Sequence, residues 1–143
     1  MTVFRGRLAA FVAIPKSDEY NEVSSLISLS LEEHNIEEMK SPCDFTPTLL
    51  EICKKADFLI ADITETNPST YYVIGASQAS QKPVLLLSKE TSSAPAEISG
   101  FKVLQYRPGN VRKISEFLKY LLSDILAEGI VEKAGRTTEL NDG

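Results

Sequence analysis

The chain predicts a three-layer α/β domain, a five-stranded and mostly parallel sheet with helices on both faces. Three observations carry that expectation. The runs LAAFVAIP (8–15), DFLIADI (57–63) and PVLLLS (83–88) are nearly all apolar. A strand with one wet face alternates apolar and polar residues, so uniform runs suit strands covered on both sides. The segments between them carry apolar residues at helical spacing. Two pairs of a capping residue and proline, Thr46-Pro47 and Asn67-Pro68, stand where helices would open.

The elements follow in order. The first strand, 8–15, is stopped by Pro15. Ser17 then offers a cap for a helix over about 18–34, whose stripe is Val23, Ile27 and Leu31. Residues 35–41 (NIEEMKS) are polar enough for a short edge strand. Thr46 caps and Pro47 opens the next helix, with Leu49, Leu50 and Cys53 on its buried face. The strand at 57–63 leads to a helix over about 68–80, and that to a strand at 83–88. FKVLQY (101–106) reads as the last strand. Asn110 caps a final helix reaching about 128, with Ile114, Phe117, Leu118, Leu121, Leu122 and Ile125 inward. The expected domain is 1–128, and the polar, glycine-bearing stretch 129–143 reads as a flexible tail. Right-handed crossovers then give strand order 2-1-3-4-5, a flavodoxin-like sandwich.

The bulk numbers narrow the function. A chain of 143 residues, 43% hydrophobic and 24% charged, fits one ordinary globular domain. A net charge of −5 argues against a general nucleic-acid binder. Cys43 and Cys53 stand ten apart, with no CxxC and one histidine, His34, so no metal site is expected. Cys53 reads as a small core residue. There is no GxGxxG and no GxxxxGK[ST], and no cofactor is expected. No secretory signal and no apolar run near the roughly 20 residues of a membrane span are seen. The expectation is a cytoplasmic chain with reduced thiols and no membrane partner.

In a sheet of order 2-1-3-4-5, ligands bind outside the carboxyl ends of the strands where the winding reverses, between the first and third strands. Three segments should meet there. One holds Pro15, Lys16 and Ser17. The second holds Asp62, Thr64, Glu65 and Asn67. The third is the helix opening with Tyr71, Tyr72 and Val73. Asp62 at a strand end either takes ligand hydroxyls or caps backbone N–H groups. Asn67 suits a helix cap, and the helix start behind it suits a phosphate or carboxylate, to which Lys16 and Ser17 would add. The two tyrosines would either stack on a base or ribose or pack into the core.

The stretch ADFLIADITETNPSTYYVIGASQASQKPVLLL (56–87) resembles the nucleoside 2-deoxyribosyltransferase-like superfamily, which includes TIR-like relatives. Their shared pattern runs A-D-h-h-I-A-D-h-T-x-x-N-P-N-V-x-Y-E-h-G-x-A-x-A-x-x-K-P-V-h-h-h, with h apolar. The likeness extends more loosely to AFVAIPKSDEY and ISGFKVLQYR. It implies that Asp62 lines a pocket beside sugar or base, and that Asn67 and the helix start hold the polar end of the ligand. It implies a nucleophilic glutamate two residues before the helix glycine, attacking the anomeric carbon as the base leaves. That position is Val73 here, and the pattern's N-P-N-V reads Asn67-Pro68-Ser69-Thr70. Valine cannot attack or stabilise an oxocarbenium ion.

The expected function is therefore a nucleoside- or nucleotide-binding or sensing module, a pseudoenzyme lacking the standard nucleophile. Two alternatives stay open. One is a divergent N-glycosidase or deoxyribosyltransferase using Asp62 or Glu65. The other is a homodimeric assembly module with a vestigial crevice, in which Gly75, Ala76 and Ala79 admit a second helix. The preferred reading of those three small residues is close packing on the chain's own sheet.

Overall fold

The structure, a computed structural model, describes residues 7–40, 47–65, 67–90, 97–98 and 101–139. The strands are β1 (Ala9–Ala13), β2 (Glu37–Lys40), β3 (Phe58–Asp62), β4 (Val84–Lys89), β5 (Glu97–Ile98) and β6 (Phe101–Tyr106). The helices are α1 (Asn21–Glu33), α2 (Pro47–Lys55), α3 (Pro68–Ala79) and α4 (Arg112–Glu139). The sheet order is β2-β1-β3-β4-β6-β5. Its first five strands are all parallel, which is the expected 2-1-3-4-5 arrangement. The sixth, β5, is an antiparallel addition pairing Glu97 with Lys102 and Ile98 with Phe101. Two residues are too few to show a strand period, so sequence reading had nothing to detect.

Strand alternation divides the core into two layers. Ala10, Val12, Phe58, Ile60, Leu85 and Leu87 face α1 and α4 and meet Val23, Ile27, Leu31, Ile114, Leu118 and Leu122. Phe11, Ala13, Leu59, Ala61, Ile63 and Leu86 face α2 and α3 and meet Leu49, Cys53, Val73 and Ile74. Every residue of β1 and β3 is buried, whereas β2 at the sheet edge is exposed or half-buried. This matches the apolar runs and the polar segment from which those strands were expected.

Several local expectations are corrected. Ser17 makes no side-chain cap: a 3-10 turn over Asp18–Tyr20 precedes α1, and the Ser17 carbonyl accepts from the Tyr20 N–H at 3.0 Å. That turn carries Tyr20 into the core, where it is 1% exposed. Asn110 does not cap α4. Its N–H closes a turn on the Arg107 carbonyl, and the Val111 carbonyl takes the first helical bonds, from Ile114 and Ser115. Leu50 is only half-buried. Phe117 is exposed, because at 100° per residue it lies on the margin of the stripe made by Ile114, Leu118, Leu121 and Ile125. α4 continues to Glu139 rather than ending near 128, since a glycine lowers helix propensity by about 1 kcal/mol without forbidding a helix. Cys43 and the Thr46 cap lie outside the described residues.

Gly75 and Ala79 do not pack on the sheet as expected. Both are exposed, and a Cβ added at Gly75 would meet nothing. Thr70, Val73, Ile74 and Ser77 form the buried face instead. Gly75→Ala should therefore stabilise the domain by about 0.5–1 kcal/mol through helix propensity alone. Urea unfolding checks this, with the midpoint moving up.

Lys82, in the QKPV segment, reaches back across the layer. Its Nζ donates to the carbonyls of Cys53, Lys54 and Ala56 at 2.7, 2.8 and 2.7 Å. These are carbonyls at the C-terminal end of α2, where a helix leaves acceptors unpaired and favours a cation. Lys82→Met should cost about 2 kcal/mol, the range of a hydrogen bond to a charged group. Amide exchange should quicken first at the end of α2.

Candidate functional site at the carboxyl edge of the sheet

β1 has β2 on one side and β3 on the other, so the chain reverses its winding between β1 and β3. The loops leaving these strands meet there. Tyr20, seven residues beyond the end of β1, donates its hydroxyl to Glu65 Oε2 at 2.8 Å, just past β3. Beside it, Lys89 at the end of β4 pairs with Glu19 Oε1 at 2.8 Å. The Lys89 ammonium also stands 4.0 Å from the centroid of the Tyr20 ring, a cation–π contact.

Asp62 closes the cluster from below. On β3 it shares its face with Phe58 and Ile60, on the α1/α4 side. It is 1% exposed. Oδ1 accepts from the Thr64 N–H at 2.8 Å and the Thr64 hydroxyl at 2.5 Å, an Asx-type turn. Oδ2 accepts from the Tyr106 hydroxyl at 2.5 Å. Thr64 Oγ1 in turn accepts from the Lys89 N–H at 2.9 Å. One buried carboxylate thus ties the ends of β3, β4 and β6 together. Asp57, the first aspartate of ADFLIAD, acts at the other end of the sheet. Its Oδ2 accepts from the Ala9 N–H at 2.8 Å and fixes the start of β1.

Burial, then the bond to Glu65 and the charges of Asp62, Glu65 and Glu19, raises the Tyr20 phenol far above the ordinary range. Burial, then the bond and charge of Asp62, does the same to Tyr106. The hydrogen bond and charge of Lys89 hold Glu19 below the usual carboxylate range. A raised phenol keeps its proton in the folded state after the unfolded chain has lost it. Its stabilisation is complete below about pH 10, the ordinary tyrosine value, and is lost as pH rises through the folded value. At about pH 11 the folded protein should show less tyrosinate absorbance than the urea-unfolded chain. Tyr20→Phe and Tyr106→Phe should each narrow that gap.

The predicted site residues divide. Lys16 and Ser17 are exposed on the β1 loop, and Pro15 is half-buried beside them. Asn67 is exposed and caps α3, its Oδ1 accepting from the Ser69 N–H at 2.9 Å. Thr64 and Asp62 are spent on each other. Tyr71 is half-buried against the α2/α3 cluster, while Tyr72 is exposed. Val73 does not join the cluster of Tyr20, Glu65 and Asp62. It is 0% exposed among Leu59, Ala61 and Leu86, on the face of β3 opposite Asp62. Sequence reasoning missed Tyr20, Glu19, Lys89 and Tyr106. Lys89 and Tyr106 are the final residues of β4 and β6, at the carboxyl edge of the sheet, which marks their place but not their partners.

Glu65, like Glu19, is an exposed carboxylate of this cluster, and one of its oxygens is fixed by Tyr20. It can accept hydroxyl or amine donors from a ligand. Among the described residues, no group of three His, Cys, Asp or Glu side chains could hold a metal ion, and no helix is long and apolar enough to cross a membrane.

No family model and no curated protein matches the chain. Solved structures do. The Clostridium botulinum CMP N-glycosidase BcmB superposes with a TM-score of 0.53 at 19% identity, over 78% of this chain and 98% of its own. A response regulator receiver domain protein of Bacillus halodurans C-125 gives 0.53 at 13% identity, over 80% and 97%. The Vibrio cholerae chemotaxis protein CheY4 gives 0.51 at 20% identity, over 79% and 98%. At such identities the likeness is one of fold, a flavodoxin-like α/β sandwich shared by a nucleotide glycosidase and by receiver domains.

Proposed function

We propose that this chain binds a nucleoside- or nucleotide-type ligand at the carboxyl edge between β1 and β3, without glycosidic turnover at position 73. The observation that carries this reading is the meeting of the two loops at the winding reversal, where Tyr20 orients the exposed Glu65. Glu65 would take sugar hydroxyls or base amino groups. Lys16, Ser17 and the start of α3 behind Asn67 would face a phosphate. Asp62 supports the floor rather than touching the ligand, since both its oxygens are already bonded. The sequence resemblance and the fold likeness to a CMP N-glycosidase support a nucleoside-type ligand.

The test is a panel of nucleosides, nucleoside monophosphates, NAD and ADP-ribose, scored together for melting shift and released base. At least one member should raise the melting temperature with no base released. A flat response across the panel overturns the proposal. A second reading, turnover by Glu65, is favoured by that carboxylate being exposed and oriented. Base release abolished by Glu65→Gln would establish it.

A further inference from the structure

A second feature lies on the same edge but further along the sheet. A cavity of about 340 Å³ opens between the end of β6 and the first turn of α4. Its walls bring together Arg107, Arg112 and Lys113, with the amides of Gln105 and Asn110. We propose that this cavity binds a small phosphomonoester, at a site separate from the β1/β3 crevice.

Three features support it. First, the charge is out of character for the chain. Three of its fifteen lysines and arginines line one cavity of a protein with net charge −5. The opposing carboxylates are Glu90 and Glu116, and Glu90 is already paired with Arg107 at 3.2 Å. Second, Arg112 and Lys113 are the first two residues of α4, whose first turn holds no acid. Cations there oppose the positive end of the helix dipole, so helix stability does not explain them. A bound dianion would relieve both the dipole and the mutual repulsion. Third, the wall is held in place. The turn carrying Arg107 and Asn110 is closed by their backbone pairing. Gly109 holds a left-handed φ of +84° within that turn, and its N–H donates to Glu22 Oε1 at 3.1 Å.

Phosphate fits better than a single carboxylate. It presents two charges to a lining that, outside the Arg107–Glu90 pair, holds the two cations Arg112 and Lys113 and the one carboxylate Glu116, and a guanidinium grips it bidentately. The volume lies within the usual range for small-molecule sites, about 300–1,000 Å³, and so leaves room for an organic group beyond the phosphate. The exposed Gln105 and Asn110 amides would meet that group.

Ribose 5-phosphate is the probe and ribose the neutral control, titrated at low salt by calorimetry or by NMR shifts. Ribose 5-phosphate should bind saturably with a Kd of about 1 mM or tighter, weaken with added salt, and outbind ribose. The double variant Arg112→Gln/Lys113→Gln should lose about tenfold or more in affinity, because both side chains are exposed and their loss leaves the core intact. The NMR shifts should fall on residues 105–113 rather than on the loops at 14–20 and 63–65, which separates this site from the β1/β3 crevice. No saturable response below about 10 mM, or equal affinity in the double variant, overturns the assignment.

Discussion

Val73→Glu, which restores the acid of the resembling family, should leave the domain roughly 5–7 kcal/mol less stable and should not create a glycosidase. Residue 73 has no exposed surface and lies on the buried face of α3, clustered with Leu59, Ala61 and Leu86. A carboxyl placed there can stay neutral only by holding its proton against a solution at pH 7. With an unfolded value near 4.3, that costs about 4 kcal/mol. The larger side chain adds overpacking of about 1–3 kcal/mol. Typical domains have about 5–15 kcal/mol in total, so the variant stands near the edge of folding. The sign of the pH effect is diagnostic. A carboxyl whose folded value is raised contributes stability that is present below its unfolded value and lost as pH rises. The deficit of Val73→Glu should therefore shrink from pH 7 towards about pH 5, while that of Val73→Gln, which overpacks without titrating, stays constant. Urea unfolding of both variants at the two pH values decides it. Wild-type stability together with base release from Val73→Glu would show that residue 73 faces solvent and that the chemistry was one substitution away.

The same contrast marks where the sequence was legible. The parallel sheet and its order followed from the uniform apolar runs at 8–15, 57–63 and 83–88, because burial on both faces leaves that signature in composition alone. Asn67 as the cap of α3 was readable because a cap needs only its own neighbours. What failed was convergence in three dimensions. Nearness to the same strand end puts Asp62 and Val73 in one crevice on sequence alone. Strand alternation instead sends Asp62 to the α1/α4 side, and α3 presents Val73 to the other. The partner of Tyr106 was out of reach for another reason. The bond to Asp62 spans 44 residues and crosses β4, and nothing local in FKVLQY announces a partner so far away. Gly75 shows the reverse error, in that a small residue inside a helix suggested close packing and proved to be open surface.

Asp62→Ala should lower stability by about 3–4 kcal/mol, which for a domain of this size is a fall in Tm of about 10 °C. The loss exceeds that of a typical single bond because three donors are stranded at once: the Thr64 N–H, the Thr64 hydroxyl and the buried Tyr106 hydroxyl. It also loosens three strand ends together, since Thr64 is in turn the acceptor for the Lys89 N–H. If Asp62 acts through Tyr106, the two losses must overlap. Tyr106→Phe alone should cost about 1–2 kcal/mol, and the double variant should fall short of the sum by about 1–2 kcal/mol. Independent, additive effects would mean that the hydroxyl and the carboxylate do not stabilise each other. Asp62→Asn separates support from recognition. It keeps an acceptor for Thr64 and presents an amide to Tyr106, so stability should fall only partway. Ligand affinity measured well below the melting range should then survive. Loss of affinity with stability retained would place a ligand atom on Asp62 itself, and the floor of the crevice would be part of its binding surface.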